Sequence, residues 1–132
     1  MDERHLTRTL EDLEGDRWGP AEFDSHLVRE AHRLRSVPIG DLTVENLRLL
    51  LGQQIGTPWL LPLALARLTD DPLAMGDYYP GDLLTSVLGM DSSYWSSHAA
   101  DLLALWQVRT ALEELHGTTD RLLADERWPA FG

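Results

Sequence analysis

Residues 99–116 read AADLLALWQVRTALEELH, and the spacing of the apolar residues in this stretch decides the fold class. Leu102, Leu105, Val108, Leu112 and Leu115 step by 3, 3, 4 and 3 residues, a seam that stays on one side of a helix and scatters over both faces of a strand. Gly117 is the natural terminator, and residues 120–128 add a helical turn or two before Pro129. Upstream, residues 89–93 (GMDSS) read as a turn, with Ser92, Ser93, Ser96 and Ser97 as capping residues. Before them come a short helix over 83–88 headed by Asp82, and a loop over 75–81 (MGDYYPG) whose glycines and proline resist regular structure. Asp70-Asp71-Pro72 breaks an apolar helix over 59–68, led by Pro58 and expected to be the most buried. Thr43 caps residues 44–51, whose stripe is Leu47, Leu50 and Leu51. Ser25 caps a helix on which Val28, Ala31, Leu34 and Arg35 share a face, with Arg29, Arg33 and Arg35 expected to supply its outer side. Leu6, Leu10 and Leu13 predict one amphipathic helix over residues 3–14.

Composition agrees with the pattern. Among 132 residues there are 26 Leu but only 7 Val and Ile together, which favours helices over sheets. The expectation is an all-α single domain over 1–132 with about six to seven helices. Eleven Arg, no Lys and 22 Asp and Glu give a net charge of −11. That balance excludes an ordinary nucleic-acid binder, which holds phosphates with cations, and points to a basic partner. The charge is carried by the ends: residues 1–24 and 68–132 are acidic, whereas 49–67 contain only Arg67. The absence of Cys removes disulfides and thiolate metal sites and fits a reducing cytoplasm. The charged start, Met1 to His5, does not resemble a secretion signal. Arg48, Gly52, Gln53, Gln54, Pro58, Pro62 and Arg67 interrupt the most apolar stretch, Leu47 to Leu68, so it reads as core and not as a membrane span.

Catalytic and metal chemistry finds little to stand on. His26 and His32 are six residues apart, about 240° around a helix, and cannot converge on one ion. His98 and His116 are separated by about 27 Å along a helix axis. A calcium loop begun at Asp71 would put Gly76 at position 6 and Asp82 at position 12, but Leu73 and Met75 at positions 3 and 5 offer no oxygen. The serines beside His98 lie in no nucleophile elbow, and Gly52 to Gly56 lacks the ending of a phosphate-binding loop. Neither an enzymatic role nor a cofactor or metal is expected. Trp59, Trp95 and Trp106 sit in apolar context and read as core, whereas Tyr78 and Tyr79 lie among acids in the 75–81 loop, a composition suited to a protein interface.

Several segments in order carry a family likeness: LEDLEGDRWGP (10–20), the helix Leu27 to Arg35, Leu42 to Leu50, GQQIG (52–56), PLAL (62–65), DPL (71–73), GDYYPGDLL (76–84) and Trp95. This series, spanning about residues 10–95, resembles a helical family of contact-dependent growth inhibition immunity proteins. The resemblance implies a cytoplasmic, non-catalytic protein that binds the C-terminal toxin domain of a delivered effector, often a nuclease, and blocks it. An acidic inhibitor suits a ribonuclease-type partner, whose cleft must attract phosphates, and the implied mechanism is occlusion of that cationic cleft. The candidate partner-binding residues are Asp70, Asp71, Asp77, Tyr78, Tyr79 and Asp82 around the loop, with Glu113 and Glu114 on a separate acidic surface that also includes Asp120, Asp125 and Glu126. Asp82 has a capping role open to it as well. The competing reading is a helical adaptor or regulator that uses the same acidic surface against a basic endogenous protein.

Overall fold

A computed structural model describes residues 3–16, 25–115 and 120–130, without the side chains of residues 3, 4, 120 and 121. Every regular element among the described residues is helical. Seven α-helices have five or more residues: α1 (Leu10–Glu14), α2 (His26–Leu34), α3 (Val44–Gly52), α4 (Thr57–Asp70), α5 (Asp82–Leu88), α6 (Ser92–Ser97) and α7 (Ala99–Glu113). A four-residue α8 (Asp120–Leu123) and two 3-10 turns, Glu3–Thr7 and Ile39–Asp41, complete the order.

Local chemistry explains the boundaries. Ser25 Oγ accepts the Val28 N–H at 3.1 Å, and Thr43 and Asn46 exchange side-chain and backbone bonds at 3.1 and 3.0 Å in a reciprocal capping box. Gly56, at φ 67°, supplies the left-handed turn that admits α4. Pro62 lies inside α4, and the helix continues through it to Asp70. The core is formed where α3 packs on α5 and α4 on α7. Leu47, Leu50 and Leu51 meet Leu83, Leu84 and Val87 among a leucine-dominated interior in which each of these side chains is fully buried. Burial of that kind is worth about 1.5–3 kcal/mol per side chain.

Four expectations need correction. The segment 3–14 is not one helix: Thr9 adopts an extended conformation and its Oγ1 caps Asp12 N–H at 3.1 Å. The Arg8 carbonyl is meanwhile taken by the Ile39 N–H at 2.8 Å, so tertiary pairing of the two 3-10 turns interrupts the helix. The turn read over 89–93 ends at Asp91: Ser92 and Ser93 already belong to α6, which Asp91 caps, and burial of Trp95 makes that single turn and a half worthwhile. The helix most completely buried is α5, with Asp82, Leu83, Leu84, Val87 and Leu88 all inside, rather than α4. Trp59 is half-buried against the core, Trp106 is half-buried beside Trp128 and Pro129, and Leu115, the last residue of the seam, is exposed. His116, Gly117 and the Gly19-Pro20 end of the 10–20 segment lie outside the described residues.

The fourth correction is Arg35. It shares the side of α2 that carries Ala31 and Leu34, and it is 1% exposed. A cation there requires acceptors, and Nη2 donates to Glu14 Oε1 at 2.7 Å and to the Asp16 carbonyl at 3.0 Å. The Arg35 carbonyl in turn accepts Glu11 N–H at 3.2 Å, so one residue ties the end of α2 to α1. Replacing Arg35 by Ala is expected to lower stability by about 3 kcal/mol in urea denaturation, because Glu14 and the α1 end lose their buried partner. The exposed Arg33→Ala, which removes only a surface pair with Glu30, should leave the midpoint almost unmoved.

Candidate functional site

The loop between α4 and α5 begins where Asp71 stops α4. Asp71 Oδ1 accepts Leu73 N–H at 3.2 Å and its carbonyl accepts Ala74 N–H at 3.0 Å, turning the chain away from the helix axis. Gly81 N–H then reaches the Leu73 carbonyl at 3.2 Å and closes the loop at its base. Between these points the backbone would present several unpaired N–H groups, and two carboxylates collect them. Asp82, 3% exposed, accepts Gly76 N–H at 2.7 Å on Oδ1, and Tyr78 and Tyr79 N–H at 3.1 and 3.4 Å on Oδ2. Glu45, from α3, accepts Asp77 N–H at 3.0 Å. Gly76 is required by this approach, since a Cβ there would collide with the Glu45 carboxylate.

Glu45 is itself clamped by Arg48, whose Nε and Nη2 donate to Oε1 and Oε2, each at 2.6 Å. The guanidinium's hydrogen bonds hold the Glu45 carboxyl below its ordinary value. The Arg48 guanidinium lies 4.5 Å from the centre of the Tyr78 ring, within cation–π range. The outcome is a fixed loop with large side chains turned outward: Tyr78 is 70% exposed and Met75 56%. Asp70, Asp71 and Asp77 are exposed around them, while Tyr79 is half-buried. Beside the tyrosines opens a cavity of about 310 Å³ whose wall includes Arg48, Gln54, Ser86 and Arg127. Gln54 there is the non-glycine residue with positive φ, 56°, among those described.

The structure thus brings Asp77, Tyr78, Tyr79 and Asp82 together, with Asp70 and Asp71 at the loop's entry. Asp82 lies beneath the loop and organises it; its carboxylate is not on the surface. Glu113 and Glu114 are exposed at the end of α7, a separate element. Glu113 pairs with Arg109 at 3.6 Å, and Arg109 stacks over Trp128 and Trp106 at 4.8 and 5.4 Å. Of the other acids considered for that surface, Glu126 is exposed, Asp125 is held below its ordinary value by Arg127, and the Asp120 side chain lies outside the described residues.

Sequence reasoning passed over Glu45, Arg48, Met75 and Arg127. Glu45 and Arg48 carry a readable sign, an i, i+3 ion pair on a helix otherwise dominated by leucine. Met75 is an apolar residue in a polar loop, a type enriched at interfaces. Arg127 carries no local sign, because only the return of the C-terminal segment places it here. Ser97 Oγ and His98 Nδ1 do approach to 3.1 Å, but Nδ1 is also 2.8 Å from the Tyr94 carbonyl. That contact requires a protonated Nδ1, which cannot serve Ser97 as a base. Among the described residues no three His, Asp or Glu side chains converge as a metal site would need, and no helix is long and apolar enough to cross a membrane.

Compared with known families, residues 12–105 match the family described as CDI immunity proteins. No curated protein matches the chain. No solved structure matches it either.

Two outcomes follow from the loop's construction. Asp82→Asn puts an amide donor where backbone N–H groups already point, and should cost about 1–3 kcal/mol while speeding hydrogen exchange at Gly76, Tyr78 and Tyr79. Glu45 has a lowered folded-state pKa, so its contribution is fully present above the ordinary value of 4.5 and is lost as pH falls through the lower folded value. Protection of Asp77 N–H, relative to its intrinsic exchange rate, should therefore fall as pH drops through that lowered value in the native protein. In Glu45→Gln, that acid step should be missing.

Proposed function

We propose, from the premise that the chain belongs to the family of CDI (contact-dependent growth inhibition) immunity proteins and is an immunity protein that neutralises a toxin, that its target is a basic nuclease domain of ribonuclease type. Neutralisation is by binding: the acidic loop covers the toxin's cationic cleft and keeps nucleic acid out. The observation that carries this reading is the outward presentation of Tyr78 and Met75 on a loop already fixed by Asp82 and Glu45. An exposed aromatic on a fixed backbone has little ordering entropy left to lose on docking, which is what a tight contact residue needs.

The net charge of −11 supports the choice of a basic partner. A nuclease cleft gathers positive charge to hold phosphates, and an acidic protein competes for the same field. Asp77, next to Tyr78 in the loop, and the exposed Asp70 and Asp71 at its entry supply the short-range part of that match. Glu113 and Glu114, on α7, add to the long-range field that speeds encounter. Tyr79 supports the loop at the cavity's edge, and Asp82 acts from below by fixing it. The working compartment is the cytoplasm, where a delivered nuclease would meet its substrate.

Co-expression with the C-terminal domain of the large protein encoded immediately upstream, followed by RNA and DNA cleavage assays with and without this chain, tests the reading. A stoichiometric complex in which RNA cleavage is silenced is expected. A complex that still cleaves would rule out occlusion. Tyr78→Ala should weaken the complex by about thirtyfold, and Asp77→Asn should slow association. Raising salt should slow association further. If both variants bind as the wild type does, the loop is not the interface.

A further inference from the structure

Arg48 and Arg127 come from α3 and from the segment after α8, yet they wall the same cavity beside Tyr78 and Tyr79. Each guanidinium commits the same edge to a carboxylate. Arg48 donates Nε and Nη2 to Glu45 at 2.6 and 2.6 Å; Arg127 donates Nε and Nη2 to Asp125 at 3.0 and 2.8 Å. The opposite edge, Nη1, makes no hydrogen bond in either residue among the described residues. Arg127 Nη1 faces the Gly89 wall of the cavity, 3.8 Å from where a Cβ would stand. The Ser86 side chain and the Gln54 side-chain amide stand in the same wall.

The acceptors nearby are already taken. Glu45 and Asp125 hold the guanidiniums, and Asp82 holds three backbone N–H groups. The charged acceptors of the wall are therefore engaged, while two guanidinium edges remain open beside a hydroxyl and an amide that can also donate. The cavity's chemical complement is a small, planar, acceptor-only group that can take two N–H edges at once, which describes a carboxylate.

We infer that this cavity is a socket for one Asp or Glu side chain of the toxin domain, gripped between Arg48 Nη1 and Arg127 Nη1 next to Tyr78. The inference rests on the reading that the loop meets that domain, and it adds a specificity element to it. A uniformly acidic surface attracts any basic protein; one reserved cationic socket selects the partner that carries an acid at the matching place.

Long-range and short-range electrostatics predict opposite signs for one substitution, which makes the test sharp. Arg127→Gln makes this protein more acidic, so attraction to a basic toxin domain should rise if Arg127 acts only through the overall field. If Arg127 lines a socket, the complex should weaken by about tenfold, mainly through faster dissociation. Arg33→Gln, on exposed α2, removes the same charge away from the loop and serves as the control. Ser86→Leu fills the cavity without altering charge and should weaken binding as well. Binding of each variant to the upstream-encoded toxin domain is measured by surface plasmon resonance, with tryptophan fluorescence and denaturation midpoints checking that the fold and the C-terminal segment are retained.

Weakening by Arg127→Gln and Ser86→Leu, with Arg33→Gln equal to or tighter than wild type, supports the socket. Arg127→Gln matching Arg33→Gln overturns it, and so does wild-type affinity in Ser86→Leu, while leaving the loop reading intact as long as Tyr78→Ala still weakens binding. Should Arg127→Gln disturb the C-terminal segment, Ser86→Leu decides. A wild-type chain that does not bind the toxin domain removes both readings together.

Discussion

The buried carboxylate of Asp82 is the contact on which the loop, the cavity and the outward face of Tyr78 all depend. A negative charge that is 3% exposed would be costly alone, and three backbone N–H groups from residues 76, 78 and 79 compensate it. The same three bonds relieve a loop that would otherwise leave its own donors unpaired. Each side of the arrangement solves the other's problem, and the side chains between those amides are fixed as a by-product. Asp82 can be held so firmly because α5 is buried against α3 through Leu83, Leu84 and Val87. Glu45 and Arg48 stand half-buried on that same α3, so both carboxylates that shape the loop are anchored in one helix pair.

Most of the helical layout was legible because leucine periodicity and caps act within a few residues of each other. The Thr43 cap, the Ser25 cap, the α4 break at Asp71 and the loop at 75–81 all follow from such near-neighbour chemistry. Where the reading failed, a distant partner intervened. The 3–14 segment broke because Ile39 claims the Arg8 carbonyl, and Arg35 moved inside because Glu14, 21 residues away, waits for it. The site divides in the same way. Tyr78, Tyr79, Asp77 and Asp82 were readable as one loop, but whether Asp82 faces solvent or backbone depends on the path of that loop, which no spacing rule specifies. Arg127 was invisible for a stronger reason, since its place beside Arg48 depends on how the chain returns after α7.

Charge has two separable duties in this molecule. Acids such as Asp70 and Glu114 are exposed and contribute chiefly a field. Glu14, Glu45, Asp82 and Asp125 are engaged with arginines or backbone amides and shape the structure. Arginine suits that second duty better than lysine, because its planar fork can bind a carboxylate along one edge and still offer another. A chain with eleven Arg and no Lys can therefore keep its few cations in place while its exposed surface remains acidic.

The C-terminal segment is fastened to α7 in an unusual manner. Trp106 Nε1 donates to the Pro129 carbonyl at 3.0 Å, and Arg109 Nη1 donates to the Leu123 carbonyl at 3.2 Å. Trp128 Nε1 closes the segment on itself through the Leu122 carbonyl at 2.7 Å. All three acceptors are main-chain oxygens, which every residue type provides. The tether therefore holds the path of the chain and is largely indifferent to the side chains at positions such as 124, 126 and 127. Substitution at those positions leaves the three bonds in place, so the strap can stay docked while the surface it carries changes.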